Sequence, residues 1–382
     1  MPAASRRPDL LICALSGRAL AQSARRAGYR PAVLDVFCDL DTREAAVVCG
    51  RIPLAADWRF DRAALVARAA TLAPPPVPLV YGSGFERDPA LLAELARGRP
   101  LFGTPPEALA RIVDPLVFDG ACRRAGIPHP ETRADPPSDP GGWLAKRRGG
   151  AGGGHVRPAG SLPPGEEGDW YFQKRIGGVP VSLVLLCNGR DVLPLATTRQ
   201  WTAPGRGFRF SGTSLPEPLP EPARCALVAA AQALAPHFGV RGLASLDALL
   251  DGTTVTVLEL NARPTASLEA LELATGAALA GQHVKAAQGH LPESCPPLRR
   301  AAASEIVFVP EDCVVPEDFA WPAHAGDRTP GGTLVPRHGP IATVTATAAT
   351  AAEARIEVCR RRDRLLAMLA DAGAFRLAEA MP

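Results

Sequence analysis

Asp247 and the run Glu259-Leu260-Asn261-Ala262-Arg263-Pro264 carry the residue types most able to do chemistry in this chain. Two apolar runs flank Asp251-Gly252, the pattern of a β-hairpin, so Asp247 and Glu259 are expected on neighbouring antiparallel strands. Side chains alternate faces along a strand, so Glu259 and Asn261 share one face, and Leu258 and Leu260 the other. If the connection holds an odd number of residues, Asp247 joins Glu259 and Asn261. Two carboxylates on an apolar hairpin repel each other and lose hydration unless a cation lies between them. Magnesium suits such a set, because it takes hard oxygen donors and relies on few protein ligands plus phosphates. The bland alternative is an ordinary solvent-facing strand edge.

The elements that must position these residues follow from pattern. Apolar residues 10–15 end in Ser16-Gly17-Arg18, a helical stretch follows, and a second run, Ala32 to Val36, completes a strand–helix–strand unit of an open parallel sheet. Leu79-Val80-Tyr81 offers another strand, ending in Gly82-Ser83-Gly84-Phe85-Glu86. Ligands of such sheets lie beyond the carboxyl ends of the strands, which makes Ser16, Gly17, Ser83 and Glu86 candidate substrate contacts. No G-x-G-x-x-G follows the first strand, so a nicotinamide-dinucleotide enzyme is disfavoured. Lys146 closes a predicted strand and precedes Arg147-Arg148-Gly149-Gly150-Ala151-Gly152-Gly153-Gly154-His155. Glycines there either let the backbone approach phosphates closely or form a flexible linker. The Gly-Lys-Ser/Thr ending of a P-loop is missing. Further on, a hairpin turns at Asn188-Gly189, an Ala-rich helix covers 222–238, and Leu291 to Pro297 marks a boundary. Short strands at 305–309 and 341–345 and a helix from about 351 to 372 form a small α+β tail. Arg199 is a weaker candidate for a substrate carboxylate or phosphate.

Composition sets bounds. The chain has 382 residues, 47% hydrophobic and 21% charged, with a formal net charge of +3. Nothing resembles a nucleic-acid footprint, and no stretch has transmembrane length. Nine cysteines without a C-x-x-C pair argue against a zinc site and a disulfide framework, and for a reducing cytoplasm. Of 42 basic residues only Lys146, Lys174 and Lys285 are lysines, so each retained lysine is informative.

Set in order, these pieces resemble the ATP-grasp superfamily over residues 10 to 290. The resemblance implies an N-terminal open parallel-sheet α/β domain (1–102) and a central lysine/Gly-loop subdomain (103–172). It further implies an antiparallel-sheet subdomain with the metal hairpin (173–292), followed by the α+β tail (293–382). It implies ATP and magnesium, with manganese as an alternative. Asp247, Glu259 and Asn261 would bind the metal. Lys146, Gly150, Gly152 and Gly153 would cover the phosphates, and the hinge Gln173-Lys174-Arg175-Ile176 would border adenine. Arg263 would meet the transferred phosphoryl group, and with Lys146 would be catalytic. Pro180 or Val181 stands where many members carry a ribose-binding acid, and Gln173 replaces a common Glu. The loop 82–86, Arg199-Gln200, Trp321, 330–333 and 339–343 are similar to a group of ligases that join glutamate to tyramine for one-carbon cofactors. The implied reaction joins a small carboxylate to an amine through an acylphosphate, releasing ADP. A homodimer is one arrangement the resemblance allows; neither nucleic acid nor membrane is an expected partner.

Overall fold

The computed structural model describes residues 7–55, 58–162 and 167–375. The chain opens with β1 (Leu10–Cys13), α1 (Arg18–Arg26), β2 (Pro31–Asp35), α2 (Leu40–Ala45), β3 (Val48–Arg51), α3 (Arg62–Leu72), β4 (Leu79–Tyr81) and α4 (Pro89–Leu95). The four strands form a parallel sheet in the order β3-β2-β1-β4. β1, β2 and β4 are buried throughout, which is why they read as unbroken apolar runs rather than as alternation.

Next come α5 (Pro106–Val113), α6 (Pro115–Arg124), β5 (Thr132–Arg133), β6 (Trp143–Arg147), β7 (Val156–Pro158) and β8 (Trp170–Lys174). These strands form a small sheet ordered β5-β8-β6-β7. Asp114 caps α6 by accepting hydrogen bonds from the amides of Leu116 and Val117, and Pro115 fills the first helical position.

The third group is β9 (Val179–Asn188), β10 (Val192–Thr202), β11 (Phe210–Leu215), α7 (Glu221–Phe238), β12 (Arg241–Asp251), β13 (Thr254–Asn261), α8 (Ser267–Thr275) and α9 (Leu279–Ala287). Last are β14 (Ala301–Phe308), β15 (Cys313–Val314), β16 (Ala325–Gly326), β17 (Leu334–Val335), β18 (Pro340–Ala348) and α10 (Ala351–Asp371). The tail does not build a large sheet of its own. β14 pairs with β11, and β18 and β16 follow, so one sheet of eight strands runs β13-β12-β9-β10-β11-β14-β18-β16. α10 begins with a capping box, Thr350 and Glu353 each binding the other's backbone amide.

Two cores sandwich this sheet. Val181, Leu183 and Leu185 of β9 pack with Leu227, Leu234 and Phe238 of α7 on one face. Val184 and Leu186, one step out of phase, pack with Leu271 of α8, Val284 of α9 and Leu20 of α1 on the other. The parallel sheet therefore docks on the face opposite α7. Ser182 and Asp247, paired across β9 and β12, lie on that docked face.

Candidate active site

The connection between β12 and β13 has two residues, because Asp251 pairs with Thr254. An even connection alone would place Asp247 opposite Leu258. A β-bulge corrects this: the register shifts between Asp247 and Ala248, so that Asp247 pairs with Glu259 while Ala248 pairs with Val257. The extra residue, Leu258, sets three oxygen-bearing side chains on one face. Asn261 Nδ2 donates to Asp247 Oδ2 at 3.1 Å and to Glu259 Oε1 at 3.2 Å. Ser182 Oγ donates to Asp247 Oδ1 at 2.6 Å, and Gln200 Nε2 approaches the same oxygen at 3.4 Å. Burial, and then the Glu259 charge, push the Asp247 carboxyl up to about 7, against the hydrogen bonds and Arg263. This is a site where a second positive charge would be stabilising.

Arg263 is buried beside this group, 8% exposed. Its Nη2 donates to Asn261 Oδ1 at 3.2 Å and its Nε pairs with Glu86. Glu86 also accepts the amide of Gly84 at 2.7 Å. The loop after β4 thus reaches the β12–β13 hairpin through one ion pair. Ser83 sits in the same loop, where its carbonyl accepts the Leu15 amide at 2.8 Å. Arg199 is not brought to the group. It is one residue from Gln200 and so faces the other side of β10, where it pairs with Glu217 at 3.5 Å. Sequence reasoning chose the charged residue, and strand parity delivers the amide beside it.

Lys146 lies on β6 between Val156 of β7 and Tyr171 of β8. Burial lowers the pKa of its ammonium, and Glu259 raises it. The glycine loop then turns over the site. Gly149 and Gly153 have φ of +64° and +74°, and a Cβ on either would strike backbone: the Glu86 carbonyl for Gly149, the Phe208 carbonyl for Gly153. Gly152 accepts the Phe210 amide at 2.9 Å. Gly150 is covered by the His155 ring, whose Nδ1 is buried without a hydrogen-bond partner. The loop is seated between the parallel-sheet domain and the turn from β10 to β11.

The hinge divides. Gln173 is buried and its Nε2 donates to Thr132 at 3.1 Å beside His129 Nε2 at 3.4 Å. Lys174 and Arg175 are exposed, and Ile176 is partly buried. An open cleft is lined by Gln173, His129, Tyr171, His155, Glu259, Asn261 and Glu86. His129, Ser182 and Gln200 belong to this neighbourhood; the sequence offered no site role for His129 or Ser182, and named Gln200 only beside Arg199. One signal was present for Ser182, the lone polar residue inside Val181-Ser-Leu-Val-Leu-Leu.

Among the described residues no group of three or more His, Cys, Asp or Glu side chains is placed to hold a metal ion. The hairpin offers two carboxylates and an amide, an incomplete shell. Such a set fits a cation that brings its own phosphate and water ligands. A cleft lined by Gly149 and Gly150 of the glycine loop and by Glu259 and Asn261 of this shell, with Lys146 and Arg263 buried close by, can neutralise and align a polyphosphate.

Residues 117–267 match the family model of an ATP-grasp domain. No curated protein sequence matches the chain. Among solved structures, the biotin carboxylase–β-γ-ATP complex of Campylobacter jejuni superposes with a TM-score of 0.73 at 16% identity, covering 92% of this chain and 90% of that one. The biotin carboxylase domain of the Hydrogenobacter thermophilus 2-oxoglutarate carboxylase, solved with MgADP, ADP and bicarbonate, gives 0.70 at 14% identity, covering 89% and 86%. An L-amino acid ligase of Bacillus licheniformis gives 0.69 at 16% identity, covering 94% and 98%. At these identities the likeness establishes the fold.

Proposed function

We propose that this chain, which has the ATP-grasp fold, is an ATP-dependent carboxylate–amine ligase, forming an amide and releasing ADP and phosphate. The observation that carries this reading is the bulged hairpin, which turns Asp247, Glu259 and Asn261 to one face beside buried Arg263. Asp247 and Glu259 would hold magnesium, with Asn261 turning its amide oxygen toward it. Bound there, the metal would screen the charge of the nucleotide phosphates. Lys146 and the glycine loop would fix the phosphates, and Gln173 to Ile176 would border the base. Arg263 would stabilise charge on the phosphoryl group as it passes to the substrate carboxylate, once Glu86 yields its place on the guanidinium. The amine then displaces phosphate from the acylphosphate. The named L-amino acid ligase among the structural neighbours supports an amide product. Within this class we favour glutamate and an aromatic amine, as in one-carbon cofactor assembly, on the strength of the sequence resemblance alone.

Glu259→Gln tests the reading. It keeps shape and removes one charge, so amine-dependent ADP release should fall at least a hundred-fold while the circular dichroism spectrum and unfolding midpoint stay close to wild type. Undiminished turnover in that variant would sink the metal assignment. Nucleotide binding by the wild type with no ADP formed from any acid and amine pair would instead indicate a binding module without turnover.

A further inference from the structure

His129 stands between α6 and β5 and lines the cleft together with Gln173. Its two ring nitrogens are engaged in opposite senses. Nδ1 lies 2.8 Å from the Val257 carbonyl, which can only accept, so Nδ1 carries the proton. Burial lowers the pKa of the ring, against the pull of that carbonyl, and favours the neutral form. A neutral ring protonated at Nδ1 presents a lone pair at Nε2, and Nε2 is 3.4 Å from Gln173 Nε2. The Val257 amide in turn donates to the Pro128 carbonyl at 2.9 Å, so the loop bearing His129 is tied to β13, the strand of Glu259 and Asn261.

Thr132 repeats the pattern. Its hydroxyl donates its one proton to the Pro130 carbonyl at 2.9 Å, and Oγ1 accepts from Gln173 Nε2 at 3.1 Å. Were that proton turned instead to His129 Nε2, 3.3 Å away, Oγ1 would still have only lone pairs left for Gln173.

Gln173 is therefore met by two lone pairs, each set by a backbone carbonyl. A carboxylate in its place would present an acceptor whichever way it turned, but an amide has one donor end and one acceptor end. The lone pairs claim the NH2 group and turn Oε1 away from it. Among the described residues no hydrogen bond is made to Oε1. Gln173 lies two residues from Tyr171, the partner of Lys146 across β6 and β8, so its side chain is on the sheet face of both. Tyr171 and Gln173 line the cleft together.

We propose that His129 is a positioning residue that fixes the orientation of the Gln173 amide, so that Oε1 meets the edge of the nucleotide base and selects an amino group there, a 6-aminopurine over a 6-oxopurine. The inference rests on the reading of the cleft as an ATP site. Its test is calorimetric titration of the full chain, with magnesium, by ADP and by IDP, which carries an oxo group in place of the 6-amino group. Wild type should bind ADP about ten-fold or more tightly than IDP, the effect of one buried hydrogen bond replaced by two facing acceptors. His129→Phe keeps a ring edge-on to Phe118, where the centroids are now 5.5 Å apart, and removes both nitrogens. Thr132→Val removes the second lone pair by a separate route. Each should free the amide to turn and lower the ADP-to-IDP affinity ratio at least three-fold, and in a Gln173→Leu background His129→Phe should leave the ratio unchanged. Equal affinity of wild type for the two diphosphates, or an unchanged ratio in both folded variants, overturns the assignment. So does a parallel loss of both nucleotides, which is what a merely structural His129 would give. Failure of wild type to bind either diphosphate is a different result and sinks the ATP site itself.

Discussion

Asp247 is unfavourable to the protein as it stands, and on the proposed reading it is needed by the protein loaded with metal. Burial and the Glu259 charge push its carboxyl up to about 7 in the folded chain, against about 3.9 for an unperturbed Asp. The folded state therefore holds a proton that the unfolded state has already released between those values. Its contribution to stability is greatest below about pH 4 and is lost as pH rises toward 7. On the proposed reading a bound cation would replace that proton, so metal affinity should climb over the same range and level off above it. Asp247→Asn mimics the protonated form. It should raise the unfolding midpoint of the metal-free protein at pH 8 by roughly 2 °C or more, give no gain at pH 4, and abolish magnesium-dependent stabilisation. Differential scanning fluorimetry at the two pH values decides; an equal shift at both would remove the charge argument.

At the scale of elements, the glycine loop permits a controlled comparison. A Cβ on Gly153 would collide with the Phe208 carbonyl at a backbone φ of +74°, whereas one on Gly154 meets nothing within 4 Å. Gly153→Ala should therefore unseat the loop and lower kcat/KM for ATP at least ten-fold, with Gly154→Ala within about two-fold of wild type. Equal kinetics for the two variants would show that the seat does not matter. The sequence alone exposed much of this machinery, because its signals are local: the Lys146 strand, the glycine run, the turns at Asp251-Gly252 and Asn188-Gly189, and the long tail helix. It could not expose the bulge at Leu258, since one extra residue shows only against a paired strand. Nor could it choose Gln200 over Arg199, where one step of register reverses the face. Ser182 and His129 meet their partners from 65 and 128 residues away. The ion pair of Arg263 with Glu86 spans 177 residues, and the pairing of β14 with β11 made the tail part of the main sheet.

Over the whole molecule, Arg18 joins three regions that are far apart in sequence. Its guanidinium is 3% exposed on α1 and pairs with Glu269 of α8 and Asp327 beyond β16, residues 251 and 309 positions away. The parallel-sheet domain is thereby fixed to the eight-stranded sheet at both its central and tail portions. Arg18→Met keeps much of the packing volume but leaves Glu269, Asp327 and Asp41 without their shared cation. Removing one member of a buried ion pair costs about 3–5 kcal/mol, mostly from the charges left behind. If that is the cause, Asp327→Asn added to Arg18→Met should recover part of the loss, although Asp327→Asn alone should destabilise. Non-additivity in this double-mutant cycle, measured by urea unfolding, separates charge compensation from simple packing, for which the two losses would add. The cycle also bears on catalysis. The loops fixed by Arg18 carry Glu86 to Arg263, so a domain loosened at one end should misplace the other. Arg18→Met is then expected to lower kcat even at temperatures where it remains folded, and the paired Asp327→Asn change should restore stability more fully than rate.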